Sequence, residues 1–192
     1  MKQNTTIIRK YAEADLKSKI NIIFKYYPEI NSIIDAHIAG MKYRILEERE
    51  YNRRSGNGEL GVRVQSGNGY SDPTSNEGCL LADLETAIRA CDFSGGILDD
   101  IEQPERIIRL AHILREMRRM QNLCDMQILC LRQGERTLYQ QYLNHKITIS
   151  DIAAEYHIEY SSAVKKISRI RKCVQNGVIE TIKFTSCQHG TK

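Results

Sequence analysis

The second half of the chain carries side chains suited to meeting a polyanion. Between Tyr160 and Ile179 there are five basic residues and no acidic one: Lys165, Lys166, Arg169, Arg171 and Lys172. Such groups neutralise backbone phosphates and release their counterions, which gives affinity without sequence preference. Tyr160, Ser161 and Ser162 stand just before them. Their hydroxyls are short donors and acceptors of the kind that reach base edges in a major groove. These eight residues are the candidate DNA-binding set. The plain alternative is an amphipathic helix whose basic side is only solvated.

Other chemistries find less support. The six cysteines are Cys79, Cys91, Cys124, Cys130, Cys173 and Cys187. None forms a CxxC pair or combines with a histidine at zinc-ligand spacing, so free thiols of a reducing compartment are expected. No metal and no cofactor is expected. The glycine-rich stretch lacks the GK[ST] ending of a phosphate-binding loop. There is no HExxH, no GxSxG and no paired-carboxylate signature, so the chain is not expected to be an enzyme.

The basic run needs elements to present it. The stretch from Gln133 to Val174 parses into three short helices. The first covers about Gln133 to Leu143, and Asn144-His145-Lys146 forms a turn. The second starts at Thr148, with Asp151 three residues on. The Thr hydroxyl can accept from the Asp151 amide while the Asp carboxylate answers the Thr amide, a capping box with Asp for Glu. Ile149, Ile152, Ala153 and Tyr156 are expected to face inward. The chain turns at His157-Ile158-Glu159. A third helix follows with Ala163, Ile167, Ile170 and Val174 inside. Counting from Ile152, small or apolar residues fall at +1, +4, +6, +11 and +15, where two helices that cross closely need them. Ala153 is the position where bulk should matter most. His157 stands where glycine is common, because the position often requires positive φ, which His tolerates better than most residues.

The remainder reads as all-α. Prolines number three in 192 residues, and long stretches lack glycine. Residues 1–52 form an N-terminal helical region. Its first stripe is Ala12, Leu16, Ile20, Ile23 and Phe24. Pro28 is expected to begin a second helix, with the stripe Ile30, Ile33, Ile34, Ile38, Met41 and Ile45. Residues 53–72 read as a mobile Gly/Asn/Ser-rich linker, with SGNG at 55–58 and again at 66–69. Residues 73–180 form a helical domain ending in the helix-turn-helix of about 133–174. Asp72 caps its first helix ahead of Pro73, and residues 181–192 form a tail. Net charge is +4, a mild bias toward an acidic partner. The N-terminus lacks the apolar core of a signal peptide, and no stretch has the roughly 20 apolar residues of a membrane span. A cytoplasmic location is expected.

The segment ERTLYQQYLNHKITISDIAAEYHIEYSSAVKKISRI resembles region 4 of bacterial sigma factors, a helical module that reads a promoter element and touches RNA polymerase. Response regulators and recombinases share the motif. The segment GNGYSDPTSNEGCLL, lying before the helix-turn-helix, is similar to the RinA and ArpU families of phage and prophage late-gene regulators. Together the match spans about Gly67 to Val174. The resemblance implies a sequence-specific activator of phage or mobile-element genes, working with RNA polymerase in a bacterial host cell. It puts the reading residues on the third helix, from Tyr160 to Arg169. Nothing resembles the sigma segment that melts a −10 element, which favours an accessory regulator over a stand-alone factor. Two alternatives stay open: a sigma-like factor that binds core polymerase, and a DNA-packaging protein like a phage small terminase. The expected partners are double-stranded DNA and RNA polymerase. A homo-oligomer is also open, and a membrane partner is not expected.

Overall fold

A computed structural model describes residues 2–56, 73–99 and 101–187. Among them the architecture is all-α, with no strand. The helices are α1 (Lys2–Glu13), α2 (Leu16–Lys25), α3 (Ile30–Gly56), α4 (Pro73–Ala90), α5 (Pro104–Leu129), α6 (Gln133–Leu143), α7 (Ile149–Glu155) and α8 (Tyr160–Cys187). No described helix is long and apolar enough to cross a membrane. The expected linker lies mostly outside the described residues; residues 53–56 close α3 instead. Asp72, the expected cap, also lies outside them.

The chain gathers into two compact units that do not follow sequence order. One takes Met1–Asn31 with Glu116–Lys192, the other Ser32–Arg115. The sequence divides the chain at its glycine-rich stretch; the structure groups the first two helices with the last three. Apolar burial accounts for this grouping. Tyr11, Ile20 and Ile23 have no exposed surface, and they lie in the unit that also buries Met117, Cys124, Ile128, Tyr139, Ile152 and Val178. Each buried Ile, Val or Met among them contributes about 1.5–3 kcal/mol when removed from water. The Phe24 ring meets the Tyr139 ring edge-on at 5.9 Å. Polar ties reinforce the packing. Lys19 pairs with Glu116 at 2.8 Å, and the Tyr27 hydroxyl donates to the Asp125 carboxylate.

The N-terminal segment is more broken than its pattern predicts. Helix α1 stops at Glu13, and Asp15 stands as the N-cap of α2 with extended backbone angles. A break there moves the buried stripe. Ile7, Ile8 and Tyr11 are buried from α1, while Ala12 is exposed. Pro28 sits in the turn ahead of α3, whose first residue is Ile30.

The second unit is built on α3, α4 and the first half of α5. Ile33, Ile34, Ile38, Met41 and Ile45 line α3 and are all buried, as expected. Leu84, Ala87 and Ile88 are buried on α4, whereas Leu80 is 40% exposed. Helix α4 ends at Ala90; Cys91 follows at φ 51°, and Asp92 N–H donates back to the Ala87 carbonyl. Gly95 and Gly96 then turn the chain at φ 75° and 76°. The Arg49 guanidinium caps this turn by donating to the Ile97 carbonyl at 2.6 Å.

A charge cluster links α3 to α4. Glu85 takes Lys42 at 2.5 Å and Arg89 at 2.7 Å, and Arg89 also reaches Asp35 at 3.1 Å. The hydrogen bonds from Lys42 and then Arg89 hold the Glu85 carboxyl down at about 2, against an ordinary value of 4.5. A depressed folded-state pKa stabilises above the unfolded value and loses that contribution as pH falls through the folded one. Stability should therefore decline between pH 4.5 and about 2 as Glu85 takes up its proton. Glu85→Gln should lower the melting temperature at neutral pH and flatten that acid limb. Identical acid limbs in the two proteins would remove Glu85 from the account.

Candidate nucleic-acid interface

The C-terminal helices are positioned by local rules that the sequence states clearly. Thr148 caps α7, with its hydroxyl accepting from the Asp151 amide at 3.3 Å. Asp151 answers by accepting from the Thr148 amide at 2.8 Å. The Thr148 amide, and then the Thr148 hydroxyl donating at 2.8 Å, hold the Asp151 carboxyl below its usual range. Helix α7 has only seven residues. The chain leaves it through His157, at φ 51°, while Ile158 N–H donates to the Ala153 carbonyl at 3.0 Å. The turn therefore does require positive φ, and His157 supplies it without glycine. The Glu159 carbonyl then accepts from the Ser162 and Ala163 amides to open α8.

The crossing of α7 with α8 rests on small and apolar side chains. Ile152 and Ala163 have no exposed surface, and Ile167, Ile170 and Val174 are buried along the same stripe. Ala153 is only half-buried, so the alanine sealed inside this packing is Ala163. Tyr156, expected inward, is 41% exposed. It falls at the C-cap of α7, where the chain has already left the helix, so the stripe through Ile152 runs out before reaching it. Its ring is covered by the Lys166 ammonium, 3.4 Å from the centroid.

With that stripe inward, the opposite side of α8 faces solvent. Ser161, Ser162, Lys165, Arg169 and Lys172 are exposed there. Tyr160 is 58% exposed at the start of the helix. Lys166 lies at the rim, over Tyr156. Arg169 stands 3.7 Å from Glu135 of α6, an exposed contact of the sort worth little in water. Ser161 also donates to the Glu159 carboxylate at 3.4 Å.

Arg171 is placed apart from the others. It is four residues after Ile167 and three before Val174, so helical spacing turns it toward the packed side. Its guanidinium donates to the Asn21 side-chain oxygen at 3.0 Å and lies 5.6 Å from the centre of the Phe24 ring. Gln175, buried one turn on, donates to the Lys17 carbonyl at 3.2 Å. Arg171 thus belongs to the contact between α8 and α2. The spacing that reveals this is present in the sequence.

A groove of about 870 Å³ opens beside that contact. Ser18, Asn21, Ile22 and Lys25 of α2 form one wall. Tyr139 and Tyr142 of α6 also line it, as do Phe24, His145, Thr148, Tyr160 and Arg171. Sequence reasoning does not find this feature, because α2 and α8 lie roughly 150 positions apart. Among the described residues no group of three or more His, Cys, Asp or Glu could hold a metal ion. Cys79, Cys91, Cys124, Cys130 and Cys173 are free. No protein-family model, curated protein or solved structure matches the chain.

Two substitutions test this geometry. Ala163→Leu should overpack the α7–α8 crossing and cost about 1–3 kcal/mol; a wild-type denaturation midpoint would refute close packing at that residue. His157→Gly should leave stability unchanged or raise it by up to about 1 kcal/mol, since glycine carries no left-handed penalty. A clear loss in the same denaturation assay would show that the imidazole itself is needed.

Proposed function

We propose that the chain binds double-stranded DNA through α8, presented by α7 and the turn at His157, and acts as a sequence-specific transcription regulator. One observation carries this reading: the solvent side of a helix crossed by a short capped helix bears Lys165, Arg169 and Lys172 behind Ser161 and Ser162. A helix with that face fits a major groove, its N-terminal side chains toward base edges and its cations toward phosphates. The phage late-gene regulators that the sequence resembles give the direction of the biological role, an activator working with RNA polymerase.

The residues divide by placement. Tyr160, Ser161 and Ser162 open the helix and are assigned to base reading. Lys165, Lys166, Arg169 and Lys172 are assigned to phosphates. Lys166 leaves the Tyr156 ring to do so, at a cost of about 0.5–1 kcal/mol for an exposed cation–π pair. Arg171, held by Asn21, is left out of the phosphate set.

Binding of the full chain to duplex DNA as a function of salt separates these roles. Lys165→Ala and Lys172→Ala should each weaken binding to all sequences and reduce the log–log salt slope by about one. Arg171→Gln should leave the slope unchanged. If Arg171→Gln lowers the slope as the lysine changes do, the assignment of faces on α8 is wrong. Selection from random duplexes should enrich one motif, and Ser162→Ala should alter it. No enrichment with wild-type protein would overturn sequence-specific reading.

A further inference from the structure

The groove beside Arg171 has a lining that fits a ligand of particular chemistry. Its volume, about 870 Å³, falls within the range of small-molecule sites. No Asp or Glu lines it, whereas Lys25, His145 and Arg171 do. Among the described residues no carboxylate pairs with Arg171, although the residue is half-buried. A guanidinium drawn partly out of water and left without a counter-charge favours an anion, and it offers donors in a planar fork. Asn21 fixes one arm of that fork beforehand.

Much of the remaining lining is aromatic or aliphatic. Phe24, Tyr139, Tyr142 and Tyr160 form the aromatic part, and the Tyr139 and Tyr142 rings are stacked with centroids 6.4 Å apart. Tyr139 has no exposed surface, and its hydroxyl has no hydrogen-bond partner. A donor left unpaired in an interior costs about 1–3 kcal/mol. Ser18 and Thr148 add hydroxyls at the walls.

We infer that this groove binds a small organic anion that carries an aromatic ring, with its charged group at Arg171 and Lys25 and its ring against Tyr142. The shared chemistry has two sources, a nucleoside monophosphate and an aromatic carboxylate. The site does not depend on the DNA-binding reading, and its test uses no DNA.

The test is calorimetric titration of the full-length chain with AMP, 4-hydroxybenzoate, adenosine and inorganic phosphate. AMP or 4-hydroxybenzoate should bind at least roughly tenfold tighter than adenosine, which lacks the charge, and than phosphate, which lacks the ring. Which of the two binds identifies the source. Lys25→Gln, on the exposed rim, should weaken that binding several-fold with an unchanged melting temperature. Arg171→Gln should weaken it roughly tenfold or more. The proposal is overturned if neither aromatic anion binds, or if phosphate or adenosine binds as tightly. It is also overturned if Lys25→Gln and Arg171→Gln both leave affinity unchanged.

Discussion

The crossing of α7 with α8 constrains the C-terminal module. Ile152 and Ala163 are sealed from solvent, and the alanine methyl leaves room for the two backbones to approach. Once that stripe is buried, the 3.6-residue repeat decides where every other α8 side chain points. Lys165, Arg169 and Lys172 lie outward because Ala163, Ile167, Ile170 and Val174 lie inward. The basic face is therefore a by-product of packing as much as of composition. The capping box at Thr148 and the left-handed turn at His157 serve the same end, fixing where α7 starts and how the chain leaves it.

A single helix serves two kinds of contact. One side of α8 gathers exposed cations, whose mutual repulsion is screened by water and salt. The other side commits Arg171 and Gln175 to α2, through Asn21 and the Lys17 carbonyl. These polar ties sit beside the Phe24–Tyr139 contact, so an apolar seam and a hydrogen-bonded one run together. That pairing explains why the first helices of the chain cluster with the last ones. It also explains why the α2–α8 groove is rich in both rings and cations.

Much of the local structure was legible in the sequence. The bounds of α6, the cap of α7, the positive φ at His157 and the inner stripe of α8 all follow from neighbouring residues. What spacing and capping rules reveal is short-range, and here they sufficed. The break at Ala14-Asp15 was hidden, because the apolar residues on either side read as one continuous repeat. Tyr156 misled for a related reason: its spacing from Ile152 is helical, but α7 ends first. Arg171 was grouped with its basic neighbours by charge, although its spacing from Ile167 and Val174 already turned it inward. The approach of α2 to α6 and α8 left no local trace. It joins residues far apart in the chain, and such pairings appear only when the whole core is assembled.

Asn21 accepts from Arg171 at 3.0 Å and from Gln175 at 3.4 Å, two donors one helical turn apart. Two fastenings on the same side keep a cylinder from rolling about its own axis. A single fastening would leave it a pivot. Inserting or deleting one residue between Ala163 and Arg171 would swing everything upstream by about 100° relative to that clamp. The lineage of this chain should therefore tolerate exchanges of side chains along α8 far more readily than any change in its length.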